Sequence, residues 1–422
     1  MGNKKLLFIS ILLFMIVLSI GAASAQDADD AIASSNDEMV IGDGETVSGT
    51  VSGGVDVASE NPWNTTGELS YVIPDDAKTI KSADVYVNVY GGSAKNTYGA
   101  NANVTISTAN GDAKYSESLW IPEGSSNGTV YTVNDHTTKC YSDYMIHYNV
   151  TGLLAGLNGT GLKINVDTFK MENKSFDGRI KLIAFVLAYD DGDDDSIYYW
   201  INDNQIWTNS NTTLTFDTTA LTDVLDMSLT NIALSSSDAT YMVNGEFLTD
   251  ADKHVSGNYY QYNYWDLTDN FNSSKKTEFT AIGTAGSYGV SFKNVLSVLT
   301  AKPGVLQTAV SLASERANGG FNIVYPGTFN QMTVTVTTNK NAKYTVQLLA
   351  DGEVVNTTEV TLAEGSNKVL IVDPTVREIA ENTFYVAGGN FTKVNYTANL
   401  LLKDNQLGQA NLTTVVLYNG YL

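Results

Sequence analysis

The side chains with the most obvious chemistry lie close together in the first half of the chain. His136, Cys140 and His147 include the single cysteine and two of the three histidines. They could bind Zn²⁺ with Asp135 or Asp143 as a fourth ligand. The thiol could instead act as a nucleophile with one of the histidines as its base.

The spacing and surroundings of these residues fit neither kind of site. A compact zinc knuckle pairs its ligands about two to four residues apart in two clusters, a pattern that this stretch lacks. A reactive thiolate needs a positive environment, and Lys139 is the only cation nearby. We therefore interpret the stretch as ordinary strand and turn sequence in which Cys140 is a small, at least half-buried side chain.

An acidic run at residues 190–195 is the best candidate for binding an ion. Asp191, Asp193 and Asp195 alternate along it, and Gly192 permits a sharp turn, so their oxygens could bind Ca²⁺. The loop lacks the full calcium-binding pattern that ends in glutamate. The alternative is a solvated hairpin tip whose charges discourage edge-to-edge pairing.

Two aromatic clusters could form a flat surface that binds a sugar. Exposed rings cover the apolar face of a sugar while their polar tips stay wet. Alternate rings of a strand point to opposite faces, so the alternative is sandwich core plus ordinary surface tyrosines. The candidate platform residues are Tyr198, Trp200, Trp207, Tyr262 and Trp265.

Charge and the N-terminal segment indicate an exported protein. Lys4 and Lys5 precede an apolar run at residues 6–20, and small residues ending at Ala25 follow, which predicts a signal peptide over residues 1–25. The chain would associate with a membrane only through this segment, if it stayed uncleaved. A net charge of −22 repels nucleic acid and anionic lipids, which excludes nucleic acid as a partner.

Cysteine usage and sequons suit an extracellular setting without disulfides. One cysteine cannot form an internal disulfide, so the domains must depend on hydrophobic cores and backbone pairing. Asn-x-Ser/Thr sequons occur about a dozen times along the chain. We therefore expect an extracellular or cell-surface location.

Alternation of apolar and polar residues with period two dominates the chain after the signal peptide. Ala83, Val85, Val87 and Val89 share one face of a predicted strand. The segment 180–189 is apolar on both faces, which is typical of a central strand covered on both sides. Asn-Gly or Asp-Gly pairs at residues 110–111, 244–245 and 351–352 predict tight turns. The sequence therefore predicts an all-β fold.

The order of the predicted strands repeats weakly between two parts of the chain. We expect an acidic flexible lead-in at residues 26–47 and a first β-sandwich at 48–208. A second, related sandwich would follow at 209–304, both being antiparallel and jelly-roll-like. Residues 305–422 are expected to form an immunoglobulin-like sandwich without the disulfide.

Three segments resemble an uncharacterised extracellular domain family of methanogenic archaea that occurs in adhesin-like surface proteins. They read "SGTVSGGVDVASENPW", "YTVNDHTTKCYSDYMIHYNVTGLL" and "FDGRIKLIAFVLAYDDGDDDSIYYWIND". The resemblance covers about residues 48–304. Residues 328–374 are similar to adhesion-type immunoglobulin-like repeats. The resemblance implies a place at the cell surface and no catalytic or ligand residue.

These observations favour a non-catalytic adhesin-like protein, secreted or bound to an archaeal cell surface. Its expected partner is a glycan or protein of another cell or of its own envelope. A calcium-dependent glycan-binding module is the alternative, with calcium as the only expected cofactor. An extracellular glycoside hydrolase with two carboxylates is a third hypothesis, because 46 acidic residues provide many pairs.

Overall fold

The chain forms two compact units, residues 1–303 and 304–422. The computed structural model describes residues 39–40, 46–92, 98–120, 129–133, 142–203, 206–208, 211–235, 238–284, 292–318, 321–378 and 392–417. Within these ranges the regular structure is β-strand, apart from 3-10 turns at Thr151–Leu154 and Thr268–Asn270. No helix in this part of the chain is long and apolar enough to cross a membrane. The prediction of an all-β fold built from antiparallel sandwiches is confirmed.

The first sandwich consists of an outer and an inner sheet, both antiparallel. Across the outer sheet the strands are β4 (Thr66–Val72), β10 (Gly161–Lys170), β6 (Ala100–Thr108) and β7 (Gly111–Leu119). Across the inner sheet they are β3 (Gly54–Glu60), β11 (Ile180–Asp190), β5 (Thr79–Gly92), β9 (Ser142–Asn149) and β8 (Thr129–Val133). Val85 and Val87 of β5 and Phe185 of β11 face the outer sheet and form the first core with Val104 and Ile164.

The second sandwich also has an inner and an outer sheet. The eight-stranded inner sheet follows the path β1 (Met39–Val40), β13 (Ile206–Thr208), β21 (Phe292–Pro303), β15 (Val224–Ser235), β19 (Tyr260–Asp266) and β18 (Lys253–Gly257), while β12 (Ile197–Asn202) joins β21 to β2 (Val47–Val51). The outer sheet contains β14 (Asn211–Phe216), β20 (Thr277–Gly283), β16 (Ala239–Val243) and β17 (Glu246–Phe247) in that order. Met227, Leu229, Leu299, Phe216 and Phe279 form the core between them.

The two sandwiches have the same strand order. The outer sheet β4-β10-β6-β7 corresponds to β14-β20-β16-β17, and β11-β5-β9-β8 corresponds to β21-β15-β19-β18. A 3-10 turn follows β9 in the first sandwich and β19 in the second. The internal repeat is therefore a repeat of topology, although few residues are identical.

The boundary between the sandwiches differs from the expected one at residues 208/209. Strands β12 and β13 pair with β21 and occupy the place that β3 has in the first sandwich. Apart from β1 and β2, the second sandwich thus begins just after β11, at the acidic loop. The acidic run at residues 190–195 marks this boundary in the sequence, but it was interpreted as a possible ion site or a hairpin tip.

The two inner sheets pack face to face, and we call this interface the seam. Leu182, Ala184 and Val186 of β11 point into it from the first sandwich. Tyr199, Ile232, Tyr262, Val295 and Val298 point into it from the second. Because β11 contributes to the first core and to the seam, it is buried on both faces, as its sequence predicts.

Residues 304–422 form a sandwich with immunoglobulin-like strand order. Its three-stranded sheet is β22 (Thr308–Ser314), β25 (Asn330–Thr338) and β28 (Gly365–Asp373). Its six-stranded sheet is β23 (Arg316–Asn318), β24 (Phe321–Val324), β30 (Asn405–Val416), β29 (Lys393–Leu402), β26 (Ala342–Ala350) and β27 (Glu353–Leu362). Only β24 and β30 pair in parallel among the described strands. The core contains no disulfide: Tyr396 at its centre donates a hydrogen bond of 2.6 Å to the buried Asp373.

All three turns predicted from Asn-Gly and Asp-Gly pairs are present. Gly111 has φ +117°, and the pairs Asn244-Gly245 and Asp351-Gly352 have positive φ at both residues. Each connects two paired strands of one sheet. This is the conformation that favours glycine in tight hairpins.

Truncating either face of β11 should destabilise the first unit. Phe185→Ala in the first core and Leu182→Ala in the seam should each lower the free energy of unfolding by about 2–5 kcal/mol, measured by denaturant titration. Phe169→Ala is the control, because Phe169 is 49% exposed, and it should cost less than about 0.5 kcal/mol. A Leu182→Ala variant as stable as this control would contradict a packed seam.

Candidate functional site

Strand β9 is the described part of the stretch that contains the histidines and the cysteine. His136 and Cys140 lie outside the described residues. In β9, Tyr144 and Ile146 point into the first core, whereas Met145 points into the seam. Asp143 and His147 share the face of Met145 because side chains alternate along a strand. The seam therefore receives two ionisable groups from this stretch.

Asp143 is at the centre of a buried ionic triad in the seam. The Lys181 Nζ lies 2.7 Å from one Asp143 carboxylate oxygen, and the Lys293 Nζ contacts the other. Asp143, Lys181 and Lys293 are 0%, 4% and 2% exposed. Solvent is therefore excluded from all three groups. The triad joins β9 and β11 of the first sandwich to β21 of the second.

The two lysines occupy corresponding positions in the repeat. Lys181 is the second residue of β11, and Lys293 is the second residue of β21. A β-bulge between Ile180 and Leu182 accompanies Lys181. The equivalent strands thus bring equivalent lysines to one carboxylate when the inner sheets face each other.

The electrostatics of the triad are unbalanced, with two cations for one anion. Burial lowers the pKa of Lys293 to about 8. The Asp143 carboxylate opposes this change, while the Lys181 ammonium adds to it. Lys293 therefore gives up its proton far more easily than an ordinary lysine. The neutral amine that results is a nucleophile.

The Lys181 ammonium is held by aromatic rings as well as by Asp143. Its Nζ lies 4.6 Å from the centre of the Tyr90 ring and 5.6 Å from that of Tyr259. The ring faces attract the ammonium electrostatically. Asn88, two residues before Tyr90 on the same face of β5, is buried, and neither polar atom of its side chain has a hydrogen-bond partner.

Two aromatic residues beside the triad have a strained backbone. Trp63 and Tyr259 have φ of +50° and +54°, which is rare for large side chains. Their rings are 4.9 Å apart, and the Arg179 guanidinium lies 4.2 Å from the Trp63 ring centre. Arg179 also forms a two-pronged ion pair with Asp177. This stack covers one end of the seam. Neither the β-propensity nor the spacing of these residues in the sequence indicated the stack.

His147 belongs to a second polar cluster of the first unit. Its Nε2 lies 2.8 Å from the Asp84 carboxylate, and its ring stacks on Tyr86 at 4.7 Å. Asp84 also accepts hydrogen bonds from Ser82 and Asn149. These contacts fix the orientation of the imidazole against the Asp84 carboxylate. Cys140, the thiol of the alternative with a histidine base, lies outside the described residues.

Asp203 lies in the electrostatic range of this second cluster. Burial raises the pKa of Asp203, the charge of His147 opposes the rise, and Asp84 reinforces it. Sequence analysis did not single out either carboxyl group.

The acidic loop is stabilised by contacts within the protein. Asp191 accepts hydrogen bonds from Ser52 and from the Asp193 amide, and Asp193 accepts one from the Asp195 amide. Asp195 forms an ion pair with Lys302. No group of three His, Cys, Asp or Glu side chains in the described ranges is arranged to hold a metal ion. Calcium at Asp191, Asp193 and Asp195 stays a prediction.

The expected aromatic platform is not on the surface. Trp200 and Trp265 are 6% and 4% exposed and belong to the second core, while Tyr262 is 8% exposed and belongs to the seam. Tyr198 is half-buried against the second core. The Trp207 side chain lies outside the described residues. Both faces of this inner sheet are covered. Alternate rings along a strand therefore point into the second core and into the seam, instead of into a core and into solvent.

Sequence analysis named Asp143 as a possible metal ligand but missed both lysines. The available signal was a lysine near the start of each long apolar strand, since charged residues are rarely fully buried unless paired. Lys181 and Lys293 stand at that place in "RIKLIAF" and "SFKNVLS". Their convergence depends on how the sheets face each other, which no spacing rule reveals.

The paired sandwiches coincide with a known family. A family described as protein of unknown function (DUF3344) matches residues 42–302. The chain belongs to this family. The matched range includes β2 to β21 and therefore both sandwiches and the triad. No curated protein matches the chain.

Similar solved structures include several enzymes that act on carbohydrates. A β-glucuronidase of Bifidobacterium dentium is 11% identical with a TM-score of 0.18, over 52% of this chain and 40% of that one. A putative β-galactosidase of Bacteroides fragilis is 12% identical with a TM-score of 0.19, over 53% and 33%. A peptide-N(4)-(N-acetyl-β-D-glucosaminyl) asparagine amidase is 10% identical with a TM-score of 0.21, over 61% and 97%. The chain spans less than half of the first two proteins, and these scores assign no activity.

Removing the Asp143 carboxylate should leave Lys181 and Lys293 buried without a negatively charged partner. Asp143→Ala should lower the free energy of unfolding by about 3–5 kcal/mol near pH 7. The folded-state pKa of Lys293 is below its unfolded value, so folding gains stability as pH rises from about 8 towards 10.5. Without Asp143 that pKa falls further, and the gain begins at lower pH.

The difference in stability between wild type and Asp143→Ala should therefore narrow as pH rises towards about 8 and change little above it, measured by urea titrations. Asp167→Ala removes an exposed carboxylate from β10 and is the matched control. A difference that stayed constant below pH 8 would contradict the assignment of a buried, titrating Lys293.

Calcium should have little effect on stability, because Asp191, Asp193 and Asp195 already have partners within the protein. We expect the melting temperature in excess calcium to equal that in chelator, since only a ligand of the folded state raises it. A large calcium-dependent rise that disappears in Asp193→Ala would instead establish an ion site at this loop.

Proposed function

We propose that the chain is a non-catalytic, adhesin-like protein of an archaeal cell envelope, secreted or held at the cell surface. The observation that carries the proposal is the burial of the triad. Asp143, Lys181 and Lys293 are at most 4% exposed, and they join the two sandwiches instead of facing a ligand. Groups placed in this way stabilise a rigid module and cannot reach an external substrate.

The sequons support a place outside the cell. Ten sequon asparagines fall within the described residues, and all except the half-buried Asn356 are exposed. The exposed ones are Asn64, Asn103, Asn149, Asn158, Asn173, Asn211, Asn272, Asn395 and Asn411. An attached glycan needs an exposed asparagine, so this distribution suits a glycosylated surface protein.

The immunoglobulin-like unit supports a role in presentation or adhesion. It follows the paired sandwiches directly, and its own core is complete without a disulfide. Its partner in this proposal is a glycan or protein of another cell or of the same envelope. The signal peptide expected at residues 1–25 would deliver the chain there.

Cell fractionation tests the location. The full chain and a chain without residues 2–25 are expressed in a methanogen host, and intact cells are treated with protease. The full chain should be degraded from outside, whereas the shortened chain should stay protected inside. Protection of both chains would contradict an extracellular location.

Bead adhesion tests the role. Beads coated with the mature chain should stay attached to methanogen cells under washing, and beads coated with the heat-denatured chain should not. Equal loss of both kinds of bead would contradict adhesion. Steady release of reducing sugars from isolated envelopes by the native chain would instead favour the glycoside hydrolase.

A further inference from the structure

The triad places an amine of lowered basicity against a carboxylate in a fully buried site. Lys293 reaches Asp143 from the opposite sheet, and both side chains are at most 2% exposed. An ammonium and a carboxylate in water do not condense, because both are strongly solvated. In a buried contact that solvation is lost, and proximity replaces a bimolecular encounter.

We propose that Lys293 and Asp143 form an intramolecular amide cross-link that joins the two sandwiches covalently. The Lys293 ammonium first passes one proton to the Asp143 carboxylate. The neutral amine then attacks the carboxyl carbon, and a second proton of the Lys293 nitrogen goes to the departing hydroxyl, which leaves as water. The ion pair thus becomes an amide plus one water, without an oxidant, a reductant or any other co-reactant.

Lys181 is the group that would assist this step. Its ammonium lies 2.7 Å from the second carboxylate oxygen, where negative charge develops when the nitrogen attacks. It can stabilise that oxygen electrostatically. The centre of the Tyr90 ring lies 4.6 Å from the same ammonium.

The same contacts select Lys293 as the nucleophile. Burial lowers the pKa of Lys293 to about 8, so a useful fraction of its amine is neutral in mildly alkaline solution. Lys181 faces the rings of Tyr90 and Tyr259, whereas Lys293 lies against the Asp143 carboxylate. The buried amide of Asn88, on the same face of β5, has no hydrogen-bond partner.

A covalent bond at this position would stabilise a chain that has one cysteine and therefore cannot form an internal disulfide. Asp143 and Lys293 are 150 residues apart in sequence. A link between them closes a long loop and restricts the unfolded chain, as a disulfide does elsewhere. The inference concerns the seam of the family domain and does not depend on where the protein is located.

Intact-mass measurement of the full chain, produced without glycans, tests the proposal. After incubation near pH 8.5 the folded wild type should be lighter than its sequence by one water. Lys293→Arg keeps the charge but cannot form the amide, so it should have the full mass. Because a buried arginine could impair folding, the decisive readout is peptide mapping of the wild type.

Trypsin does not cleave after an acylated lysine, so the cross-linked protein should give a branched peptide that joins residues 140–163 to 277–316. A succinimide at Asp191-Gly192 also removes one water, but hydroxylamine cleaves it and leaves the amide intact. The proposal is overturned if wild type keeps its full mass, or if tandem mass spectrometry places the loss outside the 140–163 and 277–316 pair.

Discussion

The packing of two inner sheets against each other is the constraint on which the first unit depends. Each inner sheet has an apolar face for its own sandwich and a second apolar face for the seam. A sandwich alone would expose Leu182, Ala184 and Val186, or the tyrosines opposite them, as one contiguous patch. Such patches are rare on soluble proteins, so the two sandwiches must fold as partners.

The buried charges make this packing specific. Desolvating an ion pair costs several kcal/mol, and an ion pair is weak evidence for stability by itself. Only one arrangement of the sheets, however, gives Lys181 and Lys293 their shared partner Asp143. Any slip along the seam would strand charges in an apolar interface. The triad therefore fixes the register of a surface that apolar contacts alone would allow to slide.

Sequence predicted the elements of this protein better than their arrangement. The two-sided apolar pattern of residues 180–189 identified a central strand, and the tight turns and the repeat followed from local chemistry. Alternation cannot say whether a second face meets solvent or another sheet, so a surface platform and a buried core both stayed open for Trp200 and Trp265. The triad was hidden for the same reason, because its members meet only when two sheets face each other.

Hydrogen exchange of the full chain tests most directly whether the two sandwiches unfold as one cooperative unit. The account predicts that amides of β11 in the first sandwich and β21 in the second open with the same free energy. A seam substitution such as Ala184→Asp should lower both values equally. Separate opening free energies, with β21 unchanged by Ala184→Asp, would contradict the claim that the seam holds the unit together.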